Sequence, residues 1–234
     1  MKKFLKFVLI FLLVIAIIII SILLYIGLIP GVAKPVDLGI KYDPALATTF
    51  NTSHGMKSEI QGETIPAGRL AEFSGQTNLN ADLSSEEVTS VLGDWKRRSP
   101  SFPIRNVQVR FNTDGTGEIS GILEIKTAIT VAKMLGYNDS DIETGKKYVQ
   151  YTFGDLMFYS KGTGNVINNQ VTLNPSNLKI GNVSVPSSIT SQVTPVVVDA
   201  IEKRLNQVSS INVRSMTVKD GKLHFDGTLP YTVK

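Results

Sequence analysis

The segment from Asn212 to Pro230, NVRSMTVKDGKLHFDGTLP, carries the clearest fold signal in the chain. Apolar and polar residues alternate on both sides of Asp220-Gly221, as they do in half-buried strands. The Asp-Gly dipeptide is typical of a two-residue hairpin turn, because both turn positions require a left-handed backbone. The sequence therefore predicts an antiparallel hairpin near the end of the chain.

A second hairpin of the same form is predicted upstream. Asp114-Gly115 aligns with Asp220-Gly221, and Gly121 aligns with Gly227, at one ungapped offset of 106 residues. Self-similarity at a fixed offset is typical of an internal duplication. The alignment predicts a strand, helix and hairpin unit that occurs twice, at about 74–126 and 176–230; chance resemblance between alternating strands is the alternative.

Two amphipathic helices are predicted before these hairpins. The first begins at the capping box in Ser84-Ser85-Glu86-Glu87, in which the serine and the glutamate three residues on bond each other's backbone N–H. The second runs from Ser187 to Asn206, with Pro195 inside it. Their apolar stripes are Val88, Val91, Leu92 and Trp95 in the first helix, and Ile189, Val193, Val197, Ile201 and Leu205 in the second.

Other elements are predicted from local patterns. Leu38 to Tyr42 is predicted as a strand, Asp43-Pro44 as a helix start, and Asn168-Asn169 as the turn of a further hairpin. Together these elements predict an α+β fold in which curved antiparallel sheets wrap amphipathic helices.

The N-terminus predicts a membrane anchor. The run from Phe7 to Ile29 carries no charge, and at about 1.5 Å per residue it spans a hydrocarbon core of roughly 30 Å. Three lysines precede it, so the positive-inside rule places residues 1–6 in the cytoplasm and the chain after residue 29 outside. Residues 30–37 form a linker, and 38–234 an extracytoplasmic domain of a single-pass protein in the cell membrane. A signal peptide cleaved after Ala33 is the alternative.

Composition excludes several functions. The chain has no cysteine, which rules out thiolate metal sites and cysteine catalysis. Its net charge is +4, and three lysines belong to the membrane flank. That charge does not support binding to nucleic acid.

The order of helix, strand, Asp-Gly turn and strand resembles bacterial membrane-anchored envelope proteins of the tubular lipid-binding (TULIP-like) superfamily, over about 74–230. The matching motifs are SSEEV from Ser84 to Val88 and VKDGKLHFDG from Val218 to Gly227. The resemblance implies an apolar groove under a curved sheet, with membrane-proximal lipid binding or transfer. The expected groove residues are Val91, Leu92, Trp95, Val109, Phe111, Ile119, Leu123, Val197 and Ile201. Ordinary core packing is the alternative for each of them.

Catalysis and metal binding lack a matching motif. His54 is placed in a loop at a helix end, and His224 between Leu223 and Phe225, where its side chain points away from theirs. Asp139 and Asp141 have alternate spacing but lack the glycine and closing glutamate of a calcium loop, so a helix-capping loop is favoured. We therefore expect no enzyme and no cofactor.

Three hypotheses follow from the sequence. The first is a lipid-binding or lipid-handling protein of the cell envelope. The second is a non-enzymatic structural or interaction module that binds an envelope protein partner. The third, ranked last, is an enzyme built on carboxylates such as Asp139 and Asp141.

Overall fold

The computed structural model describes residues 14–18, 34–55, 70–146 and 154–233. The chain is an α+β protein with a curved antiparallel sheet, as predicted. After the helical residues 14–18, its elements in order are α1 (Pro44–Ser53), β1 (Phe73–Ser74), β2 (Thr77–Leu83), α2 (Ser85–Arg98), β3 (Ile104–Phe111), β4 (Gly117–Leu123), α3 (Ile125–Met134), α4 (Asp139–Lys146), β5 (Leu156–Ile167), β6 (Gln170–Ile180), β7 (Val183–Ser184), α5 (Ser187–Gln207), β8 (Asn212–Lys219), β9 (Lys222–Leu229) and β10 (Thr232–Val233).

The long hairpin of β5 and β6 is the spine of an eight-stranded sheet. One edge of β5 pairs with β6. The other edge pairs with β4 along residues 156–162 and with β8 along residues 165–167. Beyond β4 lies β3, whereas β9 and then β2 lie beyond β8. The sheet therefore forks into an arm of β4 and β3 and an arm of β8, β9 and β2.

The two predicted Asp-Gly hairpins meet at this fork. Gly115 lies beside the backbone of Val218, and Gly221 beside Phe111 and Thr113. Asp220 and Gly221 both have positive φ angles, of 52° and 77°, which is the backbone that a two-residue hairpin turn needs. The predicted hairpins, including the one that turns at Asn168-Asn169, are confirmed.

Helix α2 begins at the predicted capping box, in which Ser84 and Glu87 bond each other's backbone N–H. The helix then runs along the open edge of β3. The Ser85 hydroxyl accepts from Phe111 N at 2.9 Å; the Thr89 hydroxyl accepts from Val109 N at 2.9 Å and donates to Val109 O at 3.3 Å. Because edge strands leave backbone groups unpaired, these hydroxyls take the place of a neighbouring strand.

The hydrophobic core lies on the arm formed by β8, β9 and β2. Its buried members are Phe50, Leu79, Leu83, Val166, Val171, Val213 and Phe225. The partly buried residues Val88 and Val91 of α2, and Val198 and Leu205 of α5, pack against it. Three helices, α1, α2 and α5, thus contribute side chains to one core, as expected for an α+β domain.

The predicted strand from Leu38 to Tyr42 is wrong. Residues 38–42 have no strand partner; the N–H of Leu38 donates to the Gln108 side chain at 2.7 Å, and its carbonyl accepts from the Arg110 guanidinium. We call residues 34–43 the strap. Side chains of β3 satisfy the backbone of the strap at Leu38, so no strand ladder forms there.

Most of the predicted anchor lies outside the described residues. Of the run from Phe7 to Ile29, residues 14–18 are described, and they are helical. Within the described ranges, no helix is long and apolar enough to cross a membrane. Residues 1–6, predicted to be cytoplasmic, and residues 30–33 of the predicted linker are also outside these ranges, so anchor and orientation stay predictions.

Candidate functional site

Helix α5 carries apolar side chains on two opposite sides. On the inner side, Val198 and Leu205 pack against the core, and the Glu202 carboxylate accepts from Val171 N of β6 at 2.7 Å. With about 100° between successive residues, Val196 points away from that side. We call Ile189, Val193, Val196, Val197, Ala200 and Ile201 the outer face of α5. Four of its side chains are exposed: Ile189 by 39%, Val196 by 52%, Val197 by 43% and Ile201 by 38%.

An aromatic and cationic corner borders the outer face. The Arg204 guanidinium lies 5.1 Å from the ring centre of Phe73 and donates to Ala71 O at 2.8 Å. The Phe73 ring packs edge-on against Trp95 of α2, with centres 5.6 Å apart. Burial lowers the pKa of Arg204, although a guanidinium stays charged. A half-buried cation thus lies between aromatic rings and the apolar outer face.

The turn between α3 and α4 borders one flank of the outer face. The Tyr137 hydroxyl donates to the Asp199 carboxylate, and Lys203 lies 3.6 Å from the Tyr137 ring centre. Burial and then the Asp199 hydrogen bond raise the pKa of Tyr137, and the same bond lowers the pKa of Asp199. By helical spacing, Asp199 and Lys203 lie on one flank of the outer face, whereas Arg204 lies on the outer face itself, one turn after Ala200. The outer face is therefore an apolar strip with a polar border along one flank and a cation at its C-terminal end.

The structure brings only some of the predicted groove residues together. The Trp95 ring packs against the Phe73 ring, which lies beside Arg204 of α5. Val197 and Ile201 lie exposed on the outer face. Val91, by contrast, packs against the core. The remaining five are buried (Val109) or half-buried (Leu92, Phe111, Ile119 and Leu123), on α2 and the β3–β4 arm.

An acidic group on the β3–β4 arm is held by hydrogen bonds. Glu118 accepts from the Tyr159 hydroxyl at 2.8 Å and from the Asn112 amide at 3.0 Å. Burial alone favours neutral Glu118, but the bonds from Asn112 and Tyr159 hold its pKa below the usual value of 4.5. Burial and then the Glu118 bond raise the pKa of Tyr159 to about 12. The carboxylate and hydroxyl satisfy each other, which is typical of a structural pair.

The predicted helix-capping loop around Asp139 and Asp141 is present. Asn138 accepts from Asp141 N at 2.9 Å and its own N–H donates to the Asp141 carboxylate at 3.4 Å, at the start of α4. Asp139 pairs with Lys133 at 3.1 Å. Over the described part of the chain, no group of three or more histidine, aspartate or glutamate residues could hold a metal ion.

The two histidines have structural partners. The His54 ring lies 2.8 Å from Phe50 O, at the end of α1. On the sheet, His224 of β9 faces Asp82 of β2 across the strand pair at 2.5 Å. Neither histidine borders the outer face of α5 in any described contact.

No family model, curated protein or solved structure gives a significant match to the chain.

The residues that border the outer face were not predicted from the sequence; they are Phe73, Tyr137, Asp199, Lys203 and Arg204. One signal was present for Arg204, because it lies three residues after Ile201 and so on the same side of an apolar helix. Nothing local indicates that Phe73 and Tyr137, both distant in sequence, meet α5.

Proposed function

We propose that this chain is a membrane-anchored, extracytoplasmic lipid-binding or lipid-handling protein of the cell envelope. In this proposal, the outer face of α5 contacts the acyl chain of a lipid. The main observation that supports this proposal is that one helix, whose inner side packs against the core, has four exposed aliphatic side chains: Ile189, Val196, Val197 and Ile201. Contiguous exposed apolar surface of this kind marks binding sites on folded proteins.

The size of the apolar strip suits a weakly held acyl chain. Burying one aliphatic side chain completely contributes about 1.5–3 kcal/mol, so covering the exposed fractions of four contributes on the order of 3–5 kcal/mol before the cost of association. Arg204 supplies a cation beside the strip, where the phosphate of a lipid headgroup would lie. An amphiphile with an apolar chain and an anionic end therefore matches the chemistry of this face.

The predicted anchor supplies access to lipid. If Phe7 to Ile29 crosses the bilayer, few residues separate the membrane from the first fixed point of the domain, Leu38. Such a tether raises the local concentration of lipid around the domain without any new contact.

Photocrosslinking tests the proposal directly. The full chain would be placed in nanodiscs that contain a lipid with a diazirine on its acyl chain, and crosslinked peptides would be mapped by mass spectrometry. We expect crosslinks on residues 187–201 in addition to residues 7–29, and their loss from α5 in the double variant Val196→Ser and Val197→Ser. Ile167→Ser, which removes an aliphatic side chain 44% exposed on β5, is the matched control. Crosslinks confined to residues 7–29 would contradict lipid binding by α5.

The second candidate is a module that binds an envelope protein partner. It is favoured by the packing of Val91 against the core, because a filled core moves binding from an enclosed groove to the surface. A partner would then cover the same outer face. This function predicts that α5 of the unchanged chain carries a crosslink to a protein and none to lipid. The Val196→Ser and Val197→Ser variant should lose that protein crosslink.

A further inference from the structure

The strap is a fixed part of the domain. Leu38 is only 2% exposed, and both its backbone groups bond to side chains of β3. Five residues on, the N–H of Asp43 donates to the Ser90 hydroxyl of α2 at 3.0 Å. The strap is thus tied at two points, first to β3 and then to α2.

The chain between the predicted anchor and the strap is short. From Ile29 to Leu38 an extended chain reaches about 30 Å at most, whereas a domain of this size is roughly 40 Å across. The side of the domain opposite the strap can therefore face the bilayer only if the linker is fully extended along the domain surface. The side that carries the strap is the side the tether favours.

That side carries side chains that are frequent at membrane interfaces, together with the exposed Asp37 and Asp43, whose carboxylates accept from the backbone N–H groups of Gly39 and Ala45. Val36 and Tyr42 are 36% and 40% exposed, and Lys34 and Lys41 are exposed beside them. The Tyr42 ring lies against Gly93 of α2, so closely that a methyl group there would clash with it. Aromatic rings with a polar tip and lysines are enriched where proteins meet the headgroup region.

The C-terminal end of α2 adds cations to this surface. Arg97 and Arg98 both pair with the single carboxylate of Asp94, at 2.7 Å each. The Arg97 side chain is 58% exposed, and Asp94 is the main cause of its raised pKa, with a contribution from Tyr42. The exposed Arg97 side chain therefore presents a guanidinium at the helix end, where lipid phosphates would bind it.

We propose that the strap and the C-terminal end of α2 form a docking surface for the headgroup region of the bilayer, which holds the domain in one orientation. The docking surface consists of Lys34, Val36, Lys41, Tyr42 and Arg97. This inference rests on the proposed membrane anchoring, but not on lipid binding by α5. In this proposal the strap does more than tether the domain, because the strap presents a tyrosine and two lysines to lipid phosphates.

The absence of cysteine from the chain permits a clean test. Pro100→Cys, at an exposed site just beyond α2 and far in sequence from the anchor, reports on the docking surface. Ile167→Cys, at the end of β5 where the spine pairs with β8 of the other arm, is the matched control. Each single-cysteine full chain would carry a fluorophore in nanodiscs of phosphatidylcholine and phosphatidylglycerol, and quenching by a lipid with a nitroxide near its headgroup would be measured.

We expect several-fold stronger quenching at residue 100 than at residue 167. In the Pro100→Cys background, Lys41→Ser with Tyr42→Ser should lower quenching at residue 100 to the level of residue 167, with thermal unfolding recorded to show that the domain stays folded. Lys41→Ser alone, which leaves the Tyr42 packing intact, should lower it partly. High salt should act in the same direction, because it screens charge pairing.

Equal quenching at both residues, or stronger quenching at residue 167, would overturn the docking surface while leaving the anchor in place. Failure of the anchor gives a different result: the chain would elute apart from the nanodiscs, and neither label would be quenched. The two failures are therefore separable in one experiment.

Discussion

Replacing Thr89 with valine removes the hydroxyl that joins α2 to the open edge of β3. The side chain is fully buried, and its hydroxyl both accepts from Val109 N and donates to Val109 O. Valine has nearly the same shape, so packing is kept while two backbone groups lose their partner. Leaving a buried polar group unpaired costs about 1–3 kcal/mol. Since two are affected and some relaxation is possible, we expect a loss of about 2–3 kcal/mol in the free energy of unfolding.

Denaturation of the full chain in detergent micelles, followed by the fluorescence of the single tryptophan Trp95, measures this loss. A loss of this size lowers the Tm of a chain of this length by roughly 4–12 °C. Thr48→Val is the matched control, because the exposed Thr48 hydroxyl donates only to Pro44 O within its own helix; we expect a change within about 0.5 kcal/mol. Equal losses in the two variants would refute the claim that the Thr89 hydroxyl replaces a strand at this edge.

Three further predictions concern other parts of the fold. Glu118→Gln should lower the free energy of unfolding by about 1 kcal/mol at neutral pH. Because the folded pKa of Glu118 is lowered, this contribution is present above the ordinary pKa and is lost as the pH falls through the folded value; urea unfolding of both proteins from pH 7 downward should therefore converge below pH 4.5, and a gap that stays constant would contradict the ionised pair. Gly162→Ala should destabilise by about 1–3 kcal/mol in thermal unfolding, because its methyl group would lie 2.3 Å from the backbone oxygen of Asn174; an unchanged Tm would show that the β5–β6 pairing there is looser than described. Tyr137→Phe should speed amide hydrogen exchange across α3 and α4, since it removes the bond to Asp199; unchanged exchange would show that this bond does not fasten the turn.

Local rules predicted the elements whose causes lie within a few residues. The capping box of Ser84 and Glu87 determines the start of α2, and Asp220-Gly221 supplies the two left-handed residues of the closing turn. Both signals are local, because each depends on backbone groups at most three residues apart. They were therefore readable from one sequence.

Features that depend on distant partners were not predictable in the same way. The most buried residues of α2 are polar, namely Ser85, Thr89, Ser90 and Asp94. Ser85 and Thr89 are buried because they bond the open edge of β3, and Ser90 because it bonds the strap. The strand predicted at Leu38 was wrong for a similar reason, because side chains of β3 rather than a neighbouring strand bond the backbone N–H and carbonyl of Leu38. Polar residues in a helix give no sign in sequence that they face a strand edge.

The candidate site could be predicted only in part, because its position also depends on distant partners. Hydrophobic periodicity correctly placed Val197 and Ile201 on one stripe of α5, but it does not say which stripe faces the core. The helix has aliphatic residues on both sides, and the sheet packs against Val198 and Leu205. The stripe predicted to line an interior groove therefore lies mainly on the surface, with only its last residue, Leu205, against the core.

The most direct test of lipid binding is native mass spectrometry with lipid extraction on residues 33–234, expressed without the predicted anchor and purified without detergent. Circular dichroism would first show that this domain is folded. We predict that it takes up added lipid, and that Val197→Asp, which places a charge on the exposed outer face, abolishes this uptake while the Tm stays unchanged. A folded domain that carries no lipid and takes up none when lipid is added would contradict the account.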